Sequence, residues 1–168
     1  MSTPFVAILM GSDSDLPTMK TTIDTLKALG IRSEVRISSA HRTPVQTHDY
    51  VVDADARGCQ VFIAAAGLAA HLAGAVAANT VKPVIGVPLD AGPLQGMDAL
   101  LSTVMMPGGI PVATVAVGKA GAKNAAYLAA QIIALSDPAL AQRLLDERET
   151  TARDIAAKNA AVQQQFSD

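Results

Sequence analysis

A chain of 168 residues, half of them hydrophobic and 17% charged, is long enough for one compact domain with a sizeable core. A formal charge of −2 with scattered Lys and Arg excludes the basic stripe that neutralises a nucleic-acid backbone, and three Phe, two Tyr and no Trp leave little surface for stacking bases. The single cysteine, Cys59, cannot form an internal disulfide, which fits a reducing compartment and makes the cytoplasm the expected location.

Met1-Ser2-Thr3-Pro4 puts no basic region ahead of an apolar stretch, so no secretory leader is expected. The apolar run Phe5 to Met10 reads as a strand buried on both faces of a parallel sheet. Gly11-Ser12-Asp13-Ser14-Asp15 ends it. Leu16, Met19, Ile23, Leu26 and Leu29 then recur at helical spacing, with Ser14 or Asp15 as N-cap and Gly30 as the stop. Glu34 to Ser38 is the second strand. Thr43 as N-cap and Pro44 at the first helical position open a helix to about Arg57, which Gly58 closes.

Gln60 to Ala65 is the third strand, Gly67 a turn, and Ala69 to Asn79 the third helix. Val61 to Ala78 is uncharged and as long as a short membrane span, but its Ala, Gly and central His71 favour a strand, a turn and a small-residue helix, and no membrane partner is expected. Val84 to Val87 is the fourth strand, Asp90 to Gly96 a loop, Met97 to Met105 a short helix, and Val112 to Val117 the fifth strand. Gly118 to Gly121 open an Ala-rich helix, Lys123 to Leu135. Asp137-Pro138 begin a last helix whose sparse stripe of Leu140, Leu144, Thr151, Ile155, Val162 and Phe166 exceeds what its own core requires, so this tail, 138–168, is expected to pack on a neighbouring subunit.

Five strands alternating with helices predict an α/β domain: a three-layer, flavodoxin-like sandwich on a parallel sheet with right-handed crossovers and a long C-terminal helix. Ligands of such folds sit beyond the carboxyl ends of the strands, where strand order reverses. The segments Gly11 to Asp15, Ser39 to Pro44 and Ala66 to His71 share that rim. The first offers helix-start amides, two hydroxyls and two carboxylates, matched to a phosphate and to ribose hydroxyls. Arg42 adds a planar fork of donors suited to phosphate oxygens, with Ser39 beside it.

No G-x-G-x-x-G follows the first strand and no P-loop occurs, so a dinucleotide is disfavoured and a small phosphorylated molecule expected. His41 and His71 follow different strands on one rim and can face one pocket, where a near-neutral imidazole gives and takes a proton. His48, farther into its helix, reads as a surface or packing residue. Cys59, ahead of an apolar strand, reads as core. With no H-E-x-x-H and no Cys pair, no metal is expected.

Four strings occur together in order: Met10-Gly11-Ser12-Asp13-Ser14-Asp15; Ser39-Ala40-His41-Arg42-Thr43-Pro44; Ala66-Gly67 with Ala69-Ala70-His71-Leu72; and Met106-Pro107-Gly108-Gly109-Ile110-Pro111-Val112. Together, to about Leu145, they resemble the PurE family of purine biosynthesis, in its 5-(carboxyamino)imidazole ribonucleotide mutase class. The resemblance implies a cofactor-free isomerisation that moves a carboxylate from the exocyclic nitrogen of carboxyaminoimidazole ribonucleotide to the adjacent ring carbon. In it His41 would be general acid and base, protonating the ring carbon as carbon dioxide departs and removing the proton after carbon dioxide attacks. It further implies Ser12 and Arg42 on the phosphate, Asp15 on the ribose, Ser39 in support, Gly67 and His71 along the base and carboxylate, and Gly11, Ser14 and Ala40 completing the pocket of a homo-octamer. His71 is set beside His41 as a catalytic candidate.

A sister class, the aminoimidazole ribonucleotide carboxylases, often has Lys after Ser-Ala-His and lacks Ala-Ala-His, so Arg42 and His71 align this chain with the mutases. The chain departs from the pattern at Leu68 for the second Gly of a pair, at Ala73 for a Pro, at Met105 for a Gln and at Leu16 for a Trp. A positive φ at position 68 would strain a leucine, whereas an ordinary φ would not.

Overall fold

The computed structural model describes residues 4–167; the expectation of no leader concerns residues 1–3 and lies outside them. Two compact units divide the chain, residues 1–132 and 133–168. The first holds a five-stranded, all-parallel sheet of order β2-β1-β3-β4-β5: β1 (Phe5–Met10), β2 (Ser33–Ile37), β3 (Cys59–Ala66), β4 (Val84–Pro88) and β5 (Ala113–Thr114). Its helices are α1 (Leu16–Ala28), α2 (Pro44–Ala56), α3 (Leu72–Ala77), α4 (Met97–Val104) and α5 (Gly118–Ala134), the last crossing into the second unit, which also contains α6 (Pro138–Gln165).

The chain moves one way from β1 to β2 and the other way from β2 to β3 and β4, so right-handed crossovers put α1 on one face and α2 and α3 on the opposite one. Phe5, Ala7 and Leu9 share one face of β1 with Phe62, Ala64, Val51, Leu72 and Val76 in a single buried cluster. On the other face the Thr22 hydroxyl donates to the Ala122 carbonyl at 2.7 Å, joining α1 to α5. There Ala122, Ala125, Ala126, Ala129 and Ala130 form a fully buried stripe of side chains small enough for close backbone approach. No helix among the described residues is long and apolar enough to cross a membrane. Val61 to Ala78 is the expected strand, turn and helix.

Several boundaries differ from the sequence reading. Asp15 stands at the N-cap of α1, as expected, but makes no side-chain cap bond there; ahead of it Ser12 starts a 3-10 turn, Asp13–Asp15, that runs into α1, and the Ser12 hydroxyl accepts from the Ser14 amide. Thr43 occupies the N-cap of α2 without a side-chain cap bond, because its hydroxyl is committed to Ser39. α3 starts at Leu72 rather than Ala69: after Leu68, left-handed at a φ of 57°, the His71 amide turns back to the Ala69 carbonyl, which is not a helical bond. β5 has only two residues: beyond Thr114, Val115 donates to Gly86 and the ladder ends. α5 begins at Gly118 itself.

Candidate active site

The carboxyl ends of β1, β2, β3 and β4 converge where strand order reverses between β1 and β3, and a cavity of about 480 Å³ opens there. Gly11, Ser12, Ser14 and Asp15 enter it from the loop after β1; Ser39, Ala40, His41 and Arg42 from the loop after β2; Gly67 and His71 from the loop after β3. Every site residue expected from the sequence therefore lines one cavity. The volume falls within the usual range for small-molecule sites.

The loop after β1 is shaped by reciprocal capping. The Ser12 amide donates to Asp15 Oδ2 at 3.0 Å while the Ser12 hydroxyl accepts from the Ser14 amide at 3.3 Å and from the Ser14 hydroxyl at 3.0 Å. The Gly11 amide donates to the Ala65 carbonyl at 3.1 Å, tying this loop to β3. Burial raises the Asp15 carboxyl above the usual carboxylate range, against the lowering effect of its bonds to Ser12, Gly11 and Ser14.

Between β2 and α2 the chain is closed on itself. The Thr43 amide donates to the Ser39 carbonyl at 2.8 Å, the Ser39 amide to the Thr43 hydroxyl at 3.0 Å, and beneath them the buried Ser38 and Thr47 hydroxyls lie 2.7 Å apart. Arg42 bridges this loop to the previous one, its Nη2 donating to the Gly11 carbonyl at 3.2 Å and its backbone amide to the Ser39 hydroxyl at 3.2 Å. The guanidinium thus sits beside the Gly11–Asp15 loop while its residue remains exposed.

His41 and His71 meet. His41 Nε2 lies 2.7 Å from His71 Nδ1, with the rings edge to face at 4.8 Å between centroids and 87° between planes. One nitrogen must carry the proton and the other a lone pair, so the hydrogen bond couples the two ring tautomers. His71 is held at the N-cap of α3, its amide donating to the Ala69 carbonyl and its carbonyl accepting from Ala75, each at 2.9 Å. His48 is exposed and 3.0 Å from Asp49, away from the cavity, as expected. Cys59 is buried, and burial pushes its thiol up to about 11.

Ala66, Leu68 and Ala69, within the rim segment expected from the sequence, also line the cavity, whereas Leu72 and Ala91 lie outside the expected rim segments. The rim argument applied to the first three strands covers Ala91 when carried to the fourth, because the loop after β4 leaves the same edge of the sheet.

A family model described as AIR carboxylase matches residues 5–154. An N5-carboxyaminoimidazole ribonucleotide mutase from Brucella melitensis is 53% identical over 153 residues, spanning 91% of this chain and 94% of the relative. One from Bacillus subtilis is 52% identical over 152 residues, spanning 90% and 94%. The crystal structure of Treponema denticola PurE superposes with a TM-score of 0.86 at 32% identity, covering 95% of this chain and 98% of that one. With one cavity gathering the four loops and half of all residues shared with these mutases over nine-tenths of its length, the chain belongs to the AIR carboxylase family of PurE proteins.

Proposed function

We propose that the chain is an N5-carboxyaminoimidazole ribonucleotide mutase of purine biosynthesis, an isomerase that moves the carboxylate from the exocyclic nitrogen to the neighbouring ring carbon. The observation that carries the chemistry is the 2.7 Å contact between His41 and His71 in the cavity that also holds Arg42 and the Gly11–Asp15 loop. In the overall reaction the exocyclic nitrogen gains a proton, the ring carbon loses one, and carbon dioxide moves the opposite way. The sum is redox-neutral and proton-neutral, so one imidazole that gives a proton and takes one back completes it without a cofactor.

His41 is that imidazole. As the nitrogen–carboxylate bond breaks, a proton is delivered whose final place is the exocyclic nitrogen; the ring carbon then attacks carbon dioxide and surrenders its own proton to the neutral imidazole. Prior protonation of the ring carbon would leave an extra proton to be moved across the ring to the exocyclic nitrogen. His71, through its bond to Nε2, sets the tautomer of His41, leaving Nδ1 for the substrate. Arg42 and Ser12 hold the phosphate, with Gly11, Ser14 and Ser39 shaping their positions; Asp15 accepts from the ribose; Ala40 and Gly67 keep the walls close to the base. A closed pocket keeps the released carbon dioxide against the ring.

The enzyme works as a homo-octamer in the cytoplasm. Met97, Leu101 and Val104 lie half exposed along one side of α4, and Leu145, Ile155, Val162 and Phe166 are exposed on α6, apolar surface that neighbouring subunits would cover. The test is to incubate the protein with carboxyaminoimidazole ribonucleotide and follow the carbon-carboxylated isomer. Conversion without ATP or added bicarbonate is expected. Turnover only of aminoimidazole ribonucleotide with carbon dioxide would make it a carboxylase, and binding without either reaction would make it a non-catalytic phosphoribosyl-binding protein.

A further inference from the structure

Leu68 departs from the family pattern and from ordinary backbone geometry at once. Its φ of 57° lies in the left-handed region that penalises a branched side chain, where a glycine would sit without strain. The side chain is half exposed at the cavity wall. It also fills a gap across from it: a Cβ built on Gly92, itself at φ 77°, would lie 2.5 Å from Leu68 Cδ2. One residue earlier the relation is reversed, because a Cβ on Gly67 would lie 2.7 Å from the Ala91 methyl. The last backbone bond between these segments runs from the Leu89 amide to the Ala66 carbonyl at 2.9 Å. Beyond it, two side-chain rungs continue the contact of β3 and β4 past the end of the sheet: Ala91 into the space of Gly67, and Leu68 into the space of Gly92.

We propose that Leu68 and the socket at Gly92 form a latch that fixes the loop after β3, making Leu68 a positioning residue for the His41–His71 pair. The inference rests on the mutase reading for its kinetic consequence. Two residues separate Leu68 from His71, and the segment between them carries a local bond, His71 amide to Ala69 carbonyl. A strained residue persists where its surroundings over-determine it, and such residues gather at functional sites. Here the strain is offset by the contact that stops the loop from swinging, and the loop carries the imidazole whose distance from His41 sets the proton-sharing geometry.

The test uses the full chain with four single substitutions. Leu68→Gly and Leu68→Asn accept the left-handed backbone but lack the apolar arm; Gly92→Ala blocks the socket; Leu68→Met keeps an arm of similar reach. Each is assayed for conversion of carboxyaminoimidazole ribonucleotide and for hydrogen exchange at the amides of residues 69–72. Leu68→Gly, Leu68→Asn and Gly92→Ala should lower kcat about ten-fold with KM changed much less, and speed exchange at these amides about ten-fold. Leu68→Met should recover most of both. If Leu68→Gly or Leu68→Asn keeps wild-type kcat and exchange, or lowers the melting temperature without altering exchange at 69–72, the latch is refuted. Should the unmodified protein fail to convert the substrate, the mutase reading falls, and exchange alone then decides the latch.

Discussion

Gly67→Ala is a direct way to ask how much the distance between the loops after β3 and β4 matters. Gly67 is not in the left-handed region, so the backbone accepts alanine and the new methyl acts only through the space it occupies. That methyl would stand 2.7 Å from the Ala91 Cβ, with the Leu89 carbonyl oxygen at 3.7 Å. Carbon atoms rest at about 3.5–4.0 Å, so the loops must part by roughly 1 Å. Overpacking on this scale costs roughly 1–3 kcal/mol, and in a domain of this size each kcal/mol lowers the melting temperature by about 2–4 °C. The larger effect falls on turnover, because a displacement of about 1 Å in a catalytic group costs on the order of 100-fold. Thermal melts and steady-state conversion of carboxyaminoimidazole ribonucleotide measure the two separately. Adding Ala91→Gly removes the methyl that the new one strikes, so the double variant should regain most of the lost rate. Wild-type turnover in Gly67→Ala, or a double variant no faster than the single one, would refute the argument that this contact sets the site.

Three further outcomes are expected. His41→Asn should fold and bind substrate but lose roughly 10²- to 10⁴-fold in kcat; a near-normal rate would assign the proton to another group. Arg57 holds the Glu34 carboxyl below its usual range, through two hydrogen bonds of 2.8 and 2.9 Å, so their contribution to stability is complete above the ordinary carboxylate pKa and lost as pH falls through the lowered one. Melting temperatures followed from pH 7 downward should therefore fall less steeply in Glu34→Gln than in the parent, and parallel curves would contradict this. With its thiol pushed up to about 11, Cys59 should resist iodoacetamide at neutral pH in the folded protein and react in urea; stoichiometric labelling of the native state would show the burial to be wrong.

The order of elements was legible because the signals were local. Phe5 to Met10 and Cys59 to Ala66 are apolar runs that only a sheet covered on both faces accommodates, and Gly30 and Gly58, with φ of 71° and 95°, mark helix ends as glycine does. The rim of candidate residues followed from strand ends alone, and the cavity collects all of them. What the sequence hid depended on partners far away in the chain. Asp15 stands at the N-cap of α1 but gives it no side-chain cap bond, because its carboxylate turns back to the Ser12 amide, and Ser12 caps a 3-10 turn upstream. The third helix starts late because the His71 amide turns back to the Ala69 carbonyl, just after a Leu68 in a conformation that no local preference of leucine predicts. The 2.7 Å approach of the two histidines needed the topology that brings positions thirty residues apart to one rim.

The β2 edge has a consequence outside the active site. Among the described residues β2 pairs only with β1, so one side of its backbone has no partner strand there, with Val35 and Ile37 exposed along it. Such an edge is a template on which another chain's strand can add. Here it carries Arg32, Glu34 and Arg36 at alternating positions, with Glu34 clasped by Arg32 and Arg57 and the Arg36 guanidinium laid 5.0 Å over the Tyr50 ring. A foreign strand would have to strip water and partners from these charges before its first hydrogen bond formed, which guards the folding chain against edge-to-edge aggregation.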